Sequence, residues 1–127
     1  MTTCLVLSHG RIARAFLEAA KQITGKTDAL YAVDCSGFTP QSLHQEIVNL
    51  IESKNLKDGL FIFVSLRGGS YWNAAARISK EYEKVQLISG LNLCLVLSFI
   101  TKKDDYSFEE LGNILLRDAV RGITSLK

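Results

Sequence analysis

Apolar residues fall along this chain in two alternating rhythms. Four short runs are almost unbroken: Cys4-Leu5-Val6-Leu7, Leu30-Tyr31-Ala32-Val33, Leu60-Phe61-Ile62-Phe63-Val64 and Val85-Gln86-Leu87-Ile88. Runs of this length without polar alternation predict strands buried on both faces. Between them, apolar residues recur at helical spacing. Ile12, Phe16, Ala19, Ala20 and Ile23 mark a first helix, with Gly25 as its stop. Leu43, Ile47, Leu50 and Ile51 mark a second, opened by Thr39 as N-cap and Pro40 at N1. Ala74, Ala75, Ile78 and Tyr82 mark a third. A mostly apolar fourth helix runs from Asn92, its N-cap, to about Thr101. The fifth has the clearest start: Ser107 and Glu110 form a capping box, Tyr106 is placed to staple to Leu111, and Gly122 ends it.

Strands alternating with helices predict an α/β fold, a three-layer sandwich with a mostly parallel central sheet and helices on both faces. Right-handed crossovers leave few topologies. With the first strand central and the order 2-1-3-4, the winding direction reverses between strands 1 and 3. Ligands in such sheets bind outside the carboxyl ends of the strands at that reversal. Two turns stand there. Ser8-His9-Gly10 follows strand 1, and Ser65-Leu66-Arg67-Gly68-Gly69-Ser70-Tyr71 follows strand 3. No repeat, low-complexity stretch or linker interrupts the chain, so residues 1–127 read as a single domain.

Composition adds exclusions rather than a function. A net charge of +2, with Lys102-Lys103 cancelled by Asp104-Asp105, gives no footprint for nucleic acid or anionic membrane. The first strand starts near Thr3, so no leader segment is expected, and the greasy stretch around residues 91–100 is too short to span a bilayer. Cys4, Cys35 and Cys94 form neither a disulfide framework nor a metal spacing, and each reads as a small core residue. These features together predict a cytoplasmic protein with no metal and no cofactor. Walker A, dinucleotide-binding and nucleophile-elbow motifs are missing.

The two turns suggest phosphoryl chemistry. The imidazole of His9 can carry a phosphoryl group on nitrogen near neutral pH. Gly68 and Gly69 let the backbone come close to a ligand, and the amides of Gly69, Ser70 and Tyr71 open a helix, which attracts anions. The Ser70 hydroxyl and the Arg67 guanidinium add a donor and a cation. Each feature alone has a plainer reading. A lone strand-end histidine usually caps or packs, a Gly-Gly pair also forms a bare turn, and Arg67 alone reads as a solvated charge. Tyr71 and Trp72 pack a helix as readily as they cover a site, and Asn73 caps locally. His44, among Gln45 and Glu46, reads as surface. The expected juxtaposition of the two turns favours the functional reading.

The segments Val6-Leu7-Ser8-His9-Gly10, Gly68-Gly69-Ser70-x-x-Asn73-Ala74-Ala75-Ala76-Arg77, Gly90-Leu91-Asn92-Leu93 and Arg121-Gly122-Ile123 resemble, in order, the EIIA domain of the mannose family of the bacterial sugar phosphotransferase system. The resemblance implies a phosphotransferase in which His9 accepts a phosphoryl group from HPr and passes it to an EIIB partner, meeting the membrane only through a permease complex. It also implies a homodimer that exchanges a C-terminal edge strand, here Ile123-Thr124-Ser125-Leu126. The sequence departs from the family at its chemical centre. Ser65 stands where the family has an aspartate that holds the active histidine, and Arg67 where it has a hydrophobic or aromatic residue. Tyr71 and Cys94 replace prolines. Two alternatives therefore stay open: a regulatory or binding module that kept the fold but transfers poorly, and a flavodoxin-like binder of a phosphorylated small molecule.

Overall fold

The first strand in sequence is the central one in space. The computed structural model describes residues 1–127. β1 (Thr3–Ser8) lies between β2 (Leu30–Asp34) and β3 (Leu60–Val64), and β4 (Val85–Ser89) closes the far side of β3. All three pairings are parallel, so the order is β2-β1-β3-β4 as the pattern predicts. Every residue of β1 and β3 is buried, whereas the edge strands β2 and β4 are only partly so. Continuous apolar runs suit the two middle strands because helices cover both their faces.

Alternate side chains of each strand feed two separate cores. Cys4, Val6, Phe61 and Phe63 point to a layer built by α1 (Ile12–Thr24), α4 (Leu93–Lys102) and α5 (Phe108–Arg121). Leu5, Leu7, Leu60, Ile62 and Val64 point to the opposite layer, α2 (Pro40–Lys54) and α3 (Gly69–Glu81). In the first layer Phe61 stacks on Phe108 and meets Phe99 edge-on, and Phe63 meets Phe99 in the same way. Phe99 thus ties α4 to both aromatic rows of β3. The predicted caps form. Thr39, Asn92 and Ser107 each accept a backbone N–H of the following turn, and Gly25 ends α1 in the left-handed region. Asp118 of α5 accepts from Lys102 and Ser98 of α4, which holds its carboxyl down at about 2.

Four expectations change. The apolar stripe of α1 exists, but its buried positions are Ala13 and Ala20. Ile12 and Ile23 are exposed, and Ile12, Phe16 and Ala19 line an open apolar groove with Leu93. The stripe is wider than the sheet can cover. His44 is not surface: α2 packs beside α3, and the His44 Nε2 lies 2.6 Å from Glu81 Oε1, bridging the helices. Cys94 is exposed, unlike Cys4 and Cys35, because it sits in the first turn of α4 beside Gly122 rather than under the sheet. Asn73 caps nothing, since α3 already starts at Gly69. After α5, residues 123–127 form an exposed irregular tail that pairs with no strand of this chain.

Phe99→Ala removes the ring that links α4 to β3. It is expected to lower unfolding free energy by about 3–5 kcal/mol in urea denaturation. Lys57→Ala, on an exposed turn, should change it by less than about 0.5 kcal/mol. Equal effects would contradict this account of the core.

Candidate active site

The parallel register sets four strand ends side by side. Ser8 pairs with Asp34, Leu7 pairs with Val64, and Val64 pairs with Ser89. At the end of β1 the chain turns at once into α1, because the buried Ser8 hydroxyl accepts the Ala13 N–H at 2.7 Å. His9 and Gly10 are left on an exposed turn. That turn is anchored from β2. The Gly10 N–H is shared by Asp34 Oδ1 at 2.9 Å and Ser36 Oγ at 3.1 Å, and the Ser8 carbonyl accepts the Cys35 N–H at 2.8 Å. Asp34 also accepts the Ser36 N–H. The hydrogen bonds from Ser36 first, then the Gly10 amide and the nearby His9, hold the Asp34 carboxyl below the usual carboxylate range.

The second turn leaves β3 through Ser65 and enters α3 at Gly69. Gly68 and Gly69 have φ of 86° and 84°, so two successive residues occupy a region that side chains strain to reach. The first amides of a helix have no intrahelical acceptor, so those of Gly69, Ser70 and Tyr71 remain available as donors. No acidic residue in the first turn of α3 competes for them. The two turns enclose a cleft of about 240 Å³ whose walls include His9, Ser65, Gly68, Gly69, Ser70 and Tyr71. No group of three or more His, Cys, Asp and Glu side chains is placed to hold a metal ion.

Of the residues singled out from the sequence, His9, Ser65, Gly68, Gly69 and Ser70 meet in this cleft, and Arg67 does not. Its guanidinium carbon lies 5.8 Å from the centre of the Trp72 ring, and its side chain is outside the walls. Trp72 itself packs half-buried against the α2–α3 layer. The residue that engages His9 is Tyr71. Its hydroxyl oxygen is 2.5 Å from His9 Nδ1, and the two rings are 4.5 Å apart at 53°. Burial first, then the neighbouring Cys35 and Asp34, push the Tyr71 phenol above its ordinary pKa, so it is a neutral hydroxyl at physiological pH. Nε2 of His9 has no protein partner.

The family model described as the PTS system fructose IIA component matches residues 3–115, nearly the whole of this αβ unit. The chain belongs to the EIIA-man family. It is an EIIA component of a sugar phosphotransferase system. It is 28% identical over 130 residues to the mannose-specific EIIAB component of Escherichia coli (strain K12), covering 100% of this chain but 40% of that protein. It is 29% identical to the sorbose-specific EIIA component of Klebsiella pneumoniae, over 87% of this chain and 82% of that one. A solved phosphotransferase system component EIIA from Streptococcus agalactiae superposes with a TM-score of 0.86 over 98% of this chain and 97% of its own, at 19% identity. At that identity the match speaks for the fold.

Sequence reasoning overlooked two side chains of this EIIA site. Asp34 is the last residue of β2, and the 2-1-3 order already implied that it ends beside the His9 turn. Tyr71 is the third residue of α3, and helical side chains lean back toward the N-terminus, over the opening turn. From the sequence its ring reads as helix packing or a cover for the site, not as a hydrogen-bond partner of His9. The depressed Asp34 carboxyl sets a pH dependence. A folded value below the unfolded one, near ~4, gives stability that is complete above that value and is lost as pH falls toward the folded value. Wild type is therefore expected to be more stable than Asp34→Asn in urea at pH 7, and the gap should narrow as pH falls below the ordinary carboxylate range. A gap that persists at low pH would show that the charge contributes nothing.

Proposed function

We propose that this EIIA component is a phosphohistidine carrier that accepts a phosphoryl group from HPr on His9 and delivers it to an EIIB partner during sugar uptake. The observation that carries this reading is His9 in an anion-friendly cleft, with Nδ1 engaged by Tyr71 and Nε2 free. In the transfer, the Nε2 lone pair attacks phosphorus. The bond from phosphorus to the donor's nitrogen breaks, and its electron pair returns to that nitrogen. The backbone amides at the start of α3 and the Ser70 hydroxyl receive the phosphoryl oxygens. Ser65 lines the same cleft as an uncharged hydrogen-bonding group, and Arg67, one residue from Gly68, supplies positive charge at its rim when it leaves Trp72.

The carrier would work on the cytoplasmic side, meeting the membrane only through a permease complex. No helix is long and apolar enough to cross a membrane. A homodimer completes the proposal. Ile12 and Ile23 on α1, Val120 on α5, and Ile123 and Leu126 in the tail are exposed apolar residues without a cover. Exchange of the tail onto a sheet edge of a second copy would cover part of that surface and one open edge.

Incubation with phosphoenolpyruvate, Enzyme I and HPr, read by intact mass, is expected to add one acid-labile phosphoryl group to wild type and none to His9→Ala. Wild type that stays unmodified while HPr is phosphorylated would favour the regulatory reading. Deleting residues 123–127 should yield monomers or aggregates in sedimentation velocity, and an unchanged dimer would rule out the exchanged tail.

A further inference from the structure

The resting site holds His9 by a phenol rather than a carboxylate. Tyr71 Oη meets Nδ1 at 2.5 Å, and the ring of Tyr71 lies against the imidazole. Ser65, at the end of β3, makes no side-chain hydrogen bond to His9, although it lines the same cleft. We propose that Tyr71 is the positioning residue of the phosphorylation site: its hydroxyl holds Nδ1 in either protonation state of that nitrogen, and so reserves Nε2 for the phosphoryl group without a negative charge. The proposal rests on the carrier reading above.

The chemistry follows from what a hydroxyl can do and a carboxylate cannot. A phenol both donates and accepts, whereas an ionised carboxylate only accepts. For attack, the neutral ring must carry its proton on Nδ1. The phenolic oxygen accepts that N–H, and Nε2 keeps its lone pair. Forming the Nε2–P bond leaves a cationic ring with the proton still on Nδ1, and the same hydrogen bond persists. When that proton passes to solvent, Nδ1 becomes an acceptor, and the hydroxyl turns to donate to it. A carboxylate there would face a second acceptor and lose the contact. In that deprotonated state the hydrogen bond donated by Tyr71 stabilises the imidazolate that leaves when the phosphoryl group moves on, so the hydroxyl eases delivery as well as acceptance. The raised phenol supports this picture, because an ionised Tyr71 could not donate.

The test uses Tyr71→Phe, which keeps the ring that packs on His9 and removes only the hydroxyl. Nitrogen-15 NMR of the unphosphorylated protein reports the His9 tautomer without any transfer. Wild type is expected to show the Nδ1–H form above the imidazole titration, and Tyr71→Phe to move toward the Nε2–H form that free histidine prefers. The rate of acceptance from HPr should fall about five- to tenfold, and the lifetime of the phosphorylated form at pH ~9 should lengthen by a similar factor, the worth of one net hydrogen bond. Adding Ser65→Asp to Tyr71→Phe should restore the acceptance rate and not the alkaline lifetime, because a carboxylate cannot donate to bare Nδ1. Unchanged nitrogen shifts in Tyr71→Phe, with normal phosphorylation, overturn the role of Tyr71 and leave the carrier reading intact. A double variant that also returns to the wild-type alkaline lifetime overturns the two-way role. Wild type that HPr never phosphorylates overturns the carrier reading, and with it the phosphoryl role of Tyr71, even if the shifts move.

Discussion

The parallel register of β1 between β2 and β3 is the constraint on which the site depends. Each residue of β1 is fixed on both sides, so the ends of three strands reach the same edge of the sheet within a residue of one another. A one-residue slip would exchange the two cores face for face. It would also carry His9 away from both Asp34 and the Gly68-Gly69 turn. The buried runs of β1 and β3 make such a slip costly, because Cys4 and Val6 serve one layer while Leu5 and Leu7 serve the other. The precision of the His9 turn is thus inherited from the core.

Around that edge, the turns after β1 and β4 are tied to neighbouring strands. Gly10 hangs on Asp34 and Ser36, the Ser8 carbonyl on Cys35, and Leu91 on the Val64 carbonyl. Asn92 goes further: it caps α4 through Leu95 and donates to the Ala119 carbonyl of α5 at 3.0 Å. The His9 ring is thereby exposed yet oriented. Exposure comes from the turn, and orientation from strand ends that cannot move independently.

The changes at the chemical centre belong together when seen from His9. The end of β3 carries the uncharged Ser65, and Tyr71 brings a hydrogen-bonding hydroxyl from the start of α3. The partner of Nδ1 stands on a helix and not on a strand end. Arg67 lies over Trp72 instead of entering the cleft, so its charge does not bear directly on the resting imidazole. The net effect is a histidine held by a neutral hydroxyl, while the Asp34 carboxylate anchors its turn through the Gly10 N–H.

The sequence by itself determined the fold and the location of the site. Unbroken apolar runs can be buried only as two-faced strands, helical spacing between them permits only crossovers, and the capping residues Thr39, Asn92 and Ser107 mark helix starts with local chemistry. From these, a parallel sheet with few possible strand orders follows, and once β1 is central in the order 2-1-3-4, His9 meets the Gly68-Gly69 turn. Which side chains touch His9 was decided only by tertiary structure. Tyr71 is separated from His9 by 62 positions, and its reach depends on the pitch of α3 against β1, which no local signal encodes. Asp34 is half legible, since strand order places it, but its bonds to Gly10 and Ser36 require the exact depth of the turn. The half-burial of His44 and the exposure of Ile12 and Cys94 have the same origin. Periodicity tells which face of a helix is apolar, and only the packed neighbours determine how much of that face is covered.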